Sequence, residues 1–134
     1  MKYTDHEKKQ FALAQERSKL NDLPGTIEIL RNLVAENPES AMFNATLANS
    51  LKAEGDIDTA IEHFQKAVKL APKSELYSLG LFHSLWRQEK REEAFDEMKR
   101  FMSISDSDDY RAIIAEMNAK WSDDTLSPES KPPE

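Results

Sequence analysis

The chain has 134 residues and a formal net charge of −7, with 39% hydrophobic residues, 32% charged residues and only three glycines. This composition is too apolar for a disordered chain and too poor in glycine for an all-β fold with many tight turns, and the length suits one domain. Because cysteine is absent, disulfides, thiolate nucleophiles and cysteine-based metal sites are excluded, and the acidic charge disfavours non-specific binding of nucleic acid or anionic lipid.

The sequence shows no targeting or membrane-spanning segment. Residues 1–9 contain no apolar stretch that could act as a signal peptide. No apolar run approaches the length that a helix needs to cross a bilayer. We therefore expect a cytoplasmic protein that does not bind membranes.

Seven helices are predicted from the spacing of apolar residues and from the residues that begin and end helices. They span residues 5–20, 24–36, 41–54, 57–70, 75–89, 91–103 and 108–121. Gly55 can end the third helix in a left-handed conformation, and Asp56 can cap the fourth. Pro24 suits the first turn of the second helix, while Pro38 and Pro72 follow the ends of the second and fourth.

A repeat of 34 residues relates these helices. Pro38 and Pro72 are separated by this step, and the same step aligns residues of matching small or apolar type. The aligned sets are Leu13, Leu47 and Leu81; Thr26, Ala60 and Ala94; Ile27, Ile61 and Phe95; Leu30, Phe64 and Met98; and Val34, Val68 and Met102. Agreement in one register at so many positions predicts three helix pairs, over residues 7–40, 41–74 and 75–108.

The seventh helix, at residues 108–121, is predicted to cap this stack. It carries one apolar stripe, formed by Tyr110, Ile113, Ile114, Met117 and Trp121. Ser107 or Asp108 can cap its N-terminus. A stack of repeats leaves its last face uncovered, and a terminal helix covers it. The polar, proline-rich residues 122–134 are predicted to be a disordered tail.

The middle pair resembles a tetratricopeptide repeat (TPR). The residues that carry the resemblance are Leu47, Ala48, Leu51, Gly55, Asp56, Ala60, Phe64, Ala67 and Pro72. Asn44, Ala48 and Leu51 stand where the family has Trp, Gly and Tyr. The resemblance implies an all-α fold in which antiparallel helix pairs form a short right-handed α-solenoid, as one TPR-like domain over residues 1–121.

The resemblance also implies a concave groove lined by the first helix of each pair, where a partner binds. The residues expected to line it are Phe11, Gln15, Met42, Ala45, Asn49, Lys52, Leu76, Leu79, His83 and Trp86. The helix at 75–89 is apolar around almost its whole circumference, which is more than packing against neighbouring repeats requires. For Leu79, His83 and Trp86, packing and partner binding both remain open at this stage.

No pattern in the sequence indicates catalysis. Glu62 is adjacent to His63 in sequence, and adjacent residues on a helix do not face one another, so His63 is interpreted as a solvated surface histidine. The acidic run Asp106-x-Asp108-Asp109 lacks the glycine and the glutamate of an EF-hand and is interpreted as capping and solvated charge. Phosphate-binding loops, Gly-x-Ser-x-Gly and His-Glu-x-x-His are absent. We expect no enzymatic activity, no cofactor and no metal.

The expected function is protein–protein interaction as an adaptor or scaffold, with a partner peptide, helix or protein surface in the groove. Many TPR co-chaperones grip the acidic C-terminus of heat-shock proteins with a carboxylate clamp. The matching positions here are Phe11, Gln15, Thr46, Leu76 and Gly80, and none is a cation, so we do not expect that partner. The alternative is a small bacterial-type inhibitor, such as an immunity protein that neutralises a cognate toxin. A homodimer is left open.

Overall fold

The computed structural model describes residues 2–122, and its side-chain detail covers residues 2–120. Within them lie seven helices: α1 (Asp5–Lys19), α2 (Leu23–Glu36), α3 (Ala41–Glu54), α4 (Ile57–Leu70), α5 (Glu75–Arg87), α6 (Arg91–Met102) and α7 (Asp108–Ser122). No described residue is in a strand. The prediction of an all-α fold is confirmed, and the helix bounds follow those predicted. The predicted tail beyond Ser122 and the side chain of Trp121 lie outside the described residues.

The helices form three antiparallel pairs that stack in chain order. Helix α1 packs on α2, α3 on α4 and α5 on α6, and successive pairs meet through α2 and α3 and through α4 and α5. The core lies between the layers of this α-solenoid. Its fully buried members include Leu30, Leu47 and Ala60, all at positions that the 34-residue repeat brings into register.

One position in this register is exposed. Leu13 is 40% exposed, whereas Leu47 and Leu81, one and two repeats later, are 1% and 5% exposed. The difference arises because each later leucine is covered by the helix pair that precedes it. Within the described residues, no helix pair packs against the corresponding face of α1. Leu13 therefore occupies the same repeat position as Leu47 and Leu81 but contributes less to the core than they do.

The turn inside each pair uses one left-handed residue. Gly55 has a φ of 97°, and Asn21 and Glu89, at the equivalent positions of the other pairs, each have a φ of 60°. The next amide donates to the carbonyl five residues earlier, which is the bond of a Schellman motif. These bonds are Asp22 to Arg17 at 2.8 Å, Asp56 to Leu51 at 2.9 Å and Lys90 to Leu85 at 2.9 Å. The prediction for Gly55 is confirmed, and the same geometry at Asn21 and Glu89 was not anticipated.

Side-chain caps begin most of the helices. The Asp56 carboxylate accepts from the Thr59 amide at 3.4 Å, as predicted, and Asp22 accepts from the Gly25 amide at 3.0 Å. The Ser107 hydroxyl accepts from the Tyr110 amide at 3.0 Å, which identifies it as the cap of α7. Helix α6 differs, because its N-cap residue Lys90 makes no side-chain capping bond.

Helix α7 covers the exposed end of the third pair. Tyr110 is fully buried, and its ring lies 5.4 Å from the ring of Phe82 on α5 and 6.0 Å from that of Phe101 on α6. Ile113, Ile114 and Met117 are partly buried against the same core. The predicted apolar stripe therefore faces the stack over its described length.

Candidate protein-binding groove

The first helices of the three pairs, α1, α3 and α5, carry the predicted groove residues. Helix α3 contacts α5 directly, and the rings of Phe11 on α1 and Phe43 on α3 are 5.7 Å apart. Since the three helices have the same register in the 34-residue repeat, equivalent residues form rows that cross from one helix to the next. The first row is Phe11, Ala45 and Leu79, the second is Gln15, Asn49 and His83, and the third is Ser18, Lys52 and Trp86.

Four of the predicted residues present free surface. Gln15, Asn49 and His83, which form one row, are all exposed. Leu76, near the edge, is 71% exposed, the largest value among the exposed large hydrophobic residues of the described chain. Leu76 lies two turns before His83 on α5, so the predicted residues present both apolar and polar surface.

The other apolar residues of the predicted set also serve the core. Ala45 is only 4% exposed. Phe11, Met42 and Leu79 are partly buried and pack against the core cluster. These four residues therefore pack into the core, and only part of each side chain is exposed on α1, α3 and α5.

Trp86 lies between α5 and α6, and part of its surface is already used. Its ring stacks on Phe82 at 5.9 Å and meets the edge of Phe95 at 5.6 Å. The Arg91 guanidinium lies 5.3 Å from the centre of the ring, at cation–π distance. The side chain is half-buried, so it packs within the third pair and still presents surface.

Charged groups from three helices meet around His83. Although this side chain is exposed overall, partial burial of the imidazole is the main cause that lowers its pKa. The Lys52 ammonium on α3 lowers the pKa further, and the Asp109 carboxylate on α7 raises it. The charges of Lys52 and Asp109 thus both act on His83. Sequence reasoning missed Asp109 in this role because α7 lies outside the repeat register.

Tyr3 is a second residue that the sequence analysis missed. Its ring lies 4.9 Å from the ring of Phe43, and its hydroxyl is 2.8 Å from the Ser40 hydroxyl. Together with Phe11 it forms an aromatic cluster on Phe43 that joins the start of the chain to α3. Tyr3 precedes the first helix, so helical periodicity carried no signal for it.

The interpretation of His63 as a solvated surface histidine is wrong. The side chain is half-buried, and its Nδ1 lies 3.0 Å from Oδ1 of Asn44. Asn44 is fully buried, and its amide nitrogen donates to the carbonyls of Pro38 and Ser40 at 3.1 and 2.9 Å. Its oxygen therefore faces His63, so Nδ1 is the donor. Burial is the main cause that lowers the pKa of His63, followed by the charge of Lys66.

A second buried polar network lies one repeat later. The Ser78 hydroxyl donates to Oε2 of Glu97 at 2.7 Å and lies 2.7 Å from the Tyr110 hydroxyl. Arg100 donates to both carboxylate oxygens of Glu97, at 2.9 and 2.7 Å. Because the Ser78 proton goes to the carboxylate, the Tyr110 hydroxyl donates to Ser78. Burial raises the pKa of Tyr110 to about 12.

The acidic residues at the start of α7 surround a shallow depression of about 410 Å³, lined by Glu75, Asp106, Asp108 and Asp109. Arg111 pairs with Asp106 at 2.7 Å and also with Asp108. Within the described residues, no group of three or more His, Asp or Glu side chains is placed to hold a metal ion. None of the described helices combines the length and apolar character required to cross a membrane.

Known proteins share the sequence pattern and the fold of this chain. Residues 41–74 match the family model of the tetratricopeptide repeat, and no curated protein sequence matches the chain. MamA from Desulfovibrio magneticus RS-1 is 21% identical over 75% of this chain, with a TM-score of 0.68, and the match covers 56% of that chain, so this chain spans about half of it.

Two further solved structures have the same fold and contain a bound partner. The Yersinia enterocolitica type III secretion chaperone SycD, in complex with a peptide of the translocator YopD, is 14% identical over 87% of this chain and 90% of its own, with a TM-score of 0.72. The TPR2B domain of yeast Sti1, in a pHsp70 complex, is 14% identical over 75% of this chain and 80% of its own, with a TM-score of 0.68. Residues 41–74 are thus a tetratricopeptide repeat, and the chain has the all-α solenoid fold of tetratricopeptide repeat proteins.

Proposed function

We propose that the chain is a non-enzymatic protein–protein interaction module that binds a peptide, helix or protein surface in the groove formed by α1, α3 and α5. The observation that carries this proposal is the surface of α5. Leu76 is 71% exposed, His83 is exposed and Trp86 is half-buried, on a helix that already supplies core residues from another face. An apolar contact flanked by polar side chains is typical of a protein-binding surface.

The structural comparisons support the class of function. SycD is described in complex with a peptide, and the Sti1 domain in complex with pHsp70. The YopD peptide is a partner of SycD and pHsp70 is a partner of the Sti1 domain; neither is assigned to this chain. For this chain we propose a protein partner other than the heat-shock C-terminus, because Phe11, Gln15, Thr46, Leu76 and Gly80 provide no cation at the clamp positions.

Affinity capture with matched leucine variants tests the proposal. Leu76→Asp places a charge on the edge of the groove, and Leu20→Asp does the same at the turn after α1, where Leu20 is 67% exposed. Both leucines are exposed, so neither change should disturb folding, which circular dichroism would verify. Proteins captured from a lysate would be identified by mass spectrometry and confirmed by titration with the purified partner.

We expect the wild type and Leu20→Asp to bind the partner equally and Leu76→Asp to lose it. The proposal is wrong if Leu20→Asp loses the partner and Leu76→Asp retains it.

A further inference from the structure

A crevice crosses the side of the molecule opposite to the groove, between the second helices α4 and α6. Its volume is about 710 Å³, within the range of cavities that hold ligands or partner side chains. The floor is apolar and is formed by Val68 of α4 and by Leu81 and Leu85 of α5. We call this feature the convex crevice.

The rim of the convex crevice carries free negative charge. Glu93 and Asp96 lie one turn apart on α6, and both side chains are exposed. In the described part of the chain, neither forms an ion pair with a basic side chain. Lys69 stands on the α4 side and is the one cation of the rim without an ion pair there. The unpaired groups of the rim are thus two carboxylates and one ammonium, with a net negative charge.

The remaining charged pair of the crevice is internally satisfied. Glu97 is 8% exposed, and it accepts two hydrogen bonds from Arg100. Arg100 also donates to the Pro72 carbonyl at 3.0 Å, and the Ser78 hydroxyl donates to Glu97 at 2.7 Å. The wall is therefore held in place before any partner arrives, and its charges cancel.

The equivalent positions between α2 and α4 carry different residues. One repeat earlier, Thr59 replaces Glu93 and Glu62 replaces Asp96, so the pair of carboxylates is reduced to one. His63 stands in place of Glu97, and the charges of Lys66 and Arg31 act on it. The combination of an apolar floor with two free carboxylates is thus particular to the convex crevice.

We propose that the convex crevice is a second docking site, which takes a lysine or arginine side chain presented by a basic protein partner. The aliphatic stem would lie over the floor, of which Val68, Leu81 and Leu85 leave only 7%, 5% and 2% of their surface exposed, and the cationic end would reach Glu93 and Asp96. Long basic side chains combine an apolar stem with a charged end in this way. The net charge of −7 favours the approach of a basic partner. This site is independent of the groove.

NMR titration of the full ¹⁵N-labelled chain with three matched probes tests the proposal. The probes are acetyl-Ala-Arg-Ala-amide, acetyl-Ala-Met-Ala-amide and acetyl-Ala-Glu-Ala-amide. We expect the arginine peptide alone to produce saturable shifts, centred on the amides of α4 and α6 near Val68 and Asp96. Shifts confined to α1, α3 and α5 would overturn this inference. So would the absence of saturable shifts, or tighter binding of the glutamate or methionine peptide. None of these results would contradict the groove proposal.

Charge variants test the sign of the interaction. Neutralising both carboxylates with Glu93→Gln and Asp96→Asn should weaken the arginine peptide by about threefold to tenfold, as expected for two exposed ion pairs. Lys69→Met should tighten binding, because it removes the opposing cation. Glu62→Gln, at the position one repeat before Asp96, is the matched control and should have no effect. Weaker binding by Lys69→Met, or equal binding by the doubly neutralised variant, would show that the arginine side chain does not bind at Glu93 and Asp96.

Discussion

Two buried polar contacts occur at equivalent places in successive repeats. Asn44 meets His63 in the middle pair, and Ser78 meets Glu97 in the third. Asn44 and Ser78 occupy the position where the TPR pattern has a tryptophan, and both are fully buried. A small polar side chain leaves room that a polar residue from the second helix fills. Each contact satisfies groups that would otherwise be buried without a hydrogen bond.

The burial of His63 should make stability depend on pH. Its pKa is lowered from the ordinary value of 6.5 by burial first, so the unfolded chain takes up a proton more readily than the folded one. Stability is then lost as the pH falls below 6.5. Urea unfolding should show a lower midpoint at pH 5.5 than at pH 7.5.

The variant His63→Gln isolates this effect from that of His83, whose pKa is also lowered. Glutamine can still hydrogen-bond Asn44 but does not titrate, so the variant should lose less stability between the two pH values. An equal loss in the variant and the wild type would contradict the assignment to His63.

Gly80 permits α5 to approach α4 closely. A Cβ atom at this position would lie 2.5 Å from Cε1 of Phe64, and Phe64 is only 2% exposed. In an unobstructed helix, Gly→Ala stabilises by about 1 kcal/mol, whereas overpacking a core costs about 1–3 kcal/mol. We therefore expect Gly80→Ala to destabilise the chain by up to about 2 kcal/mol in urea unfolding. The added cost should shrink in a Phe64→Leu background, and an undiminished cost would exclude the steric explanation.

At the scale of elements, the three helix pairs share one turn geometry but not its residues. In the first two turns the left-handed residues are Asn21 and Gly55, and the N-cap residues that follow them are Asp22 and Asp56. These residue types favour those two roles. The third uses Glu89, with a φ of 60°, followed by Lys90, which makes no capping bond. The turn between α5 and α6 is therefore the least favourable of the three.

Substitutions in these turns should have opposite signs. Glu89→Gly removes the steric strain of a non-glycine residue in the left-handed conformation, and it should stabilise the chain by about 1 kcal/mol. Gly55→Ala should destabilise it by about 1 kcal/mol. Nothing lies within 4 Å of a Cβ at Gly55, so the cost there would come from its φ of 97° alone. Thermal unfolding of both variants measures the difference, and the same sign for both would contradict the account.

Helix α7 should be required for cooperative folding. Truncation after Ser107 would expose Phe82 and Phe101, which Tyr110 covers. Replacing a buried aromatic residue by alanine costs about 3–5 kcal/mol, so Tyr110→Ala should strongly lower the melting temperature. Tyr110→Phe keeps the ring and removes one hydrogen bond to Ser78, and should cost about 1 kcal/mol. A truncated chain that unfolds like the full chain would show that α7 is not a cap.

The helices were predictable from the sequence because their signals are local. Apolar spacing, Gly55, Asp56 and the prolines act within a few residues of each helix end. The contacts of His63 with Asn44 and of Tyr3 with Phe43, and the effect of the Asp109 charge on His83, were not predictable in this way. Each joins residues from separate elements, and their distances depend on how the helices pack.

At the scale of the whole molecule, the two sides of the solenoid suit different partners. The groove presents Leu76, a polar row and the half-buried Trp86, whereas the convex crevice presents Glu93 and Asp96 above an apolar floor. A partner bound in the groove should depend mainly on apolar contacts and only weakly on salt. A partner bound at the convex crevice should dissociate as ionic strength rises, because exposed charges are screened.

Trp86 provides the sharpest test of which side a partner uses. Aromatic anchors dominate protein interfaces, and truncating one typically costs about 2–4 kcal/mol, roughly a 30- to 1,000-fold loss of affinity. If the partner binds in the groove, Trp86→Ala should weaken it by this amount in calorimetric titration. Glu62→Ala, an exposed change on α4, should leave the affinity unchanged.

Because Trp86 also packs on Phe82 and Phe95, its removal should lower stability as well. Binding must therefore be measured well below the melting temperature, where circular dichroism shows full helix content. Arg91→Ala removes the cation above the ring while leaving the aromatic packing in place, and it should preserve most of the affinity. If Trp86→Ala binds as well as the wild type and Glu62→Ala does not, the partner contacts the convex side, and the groove is not its binding site.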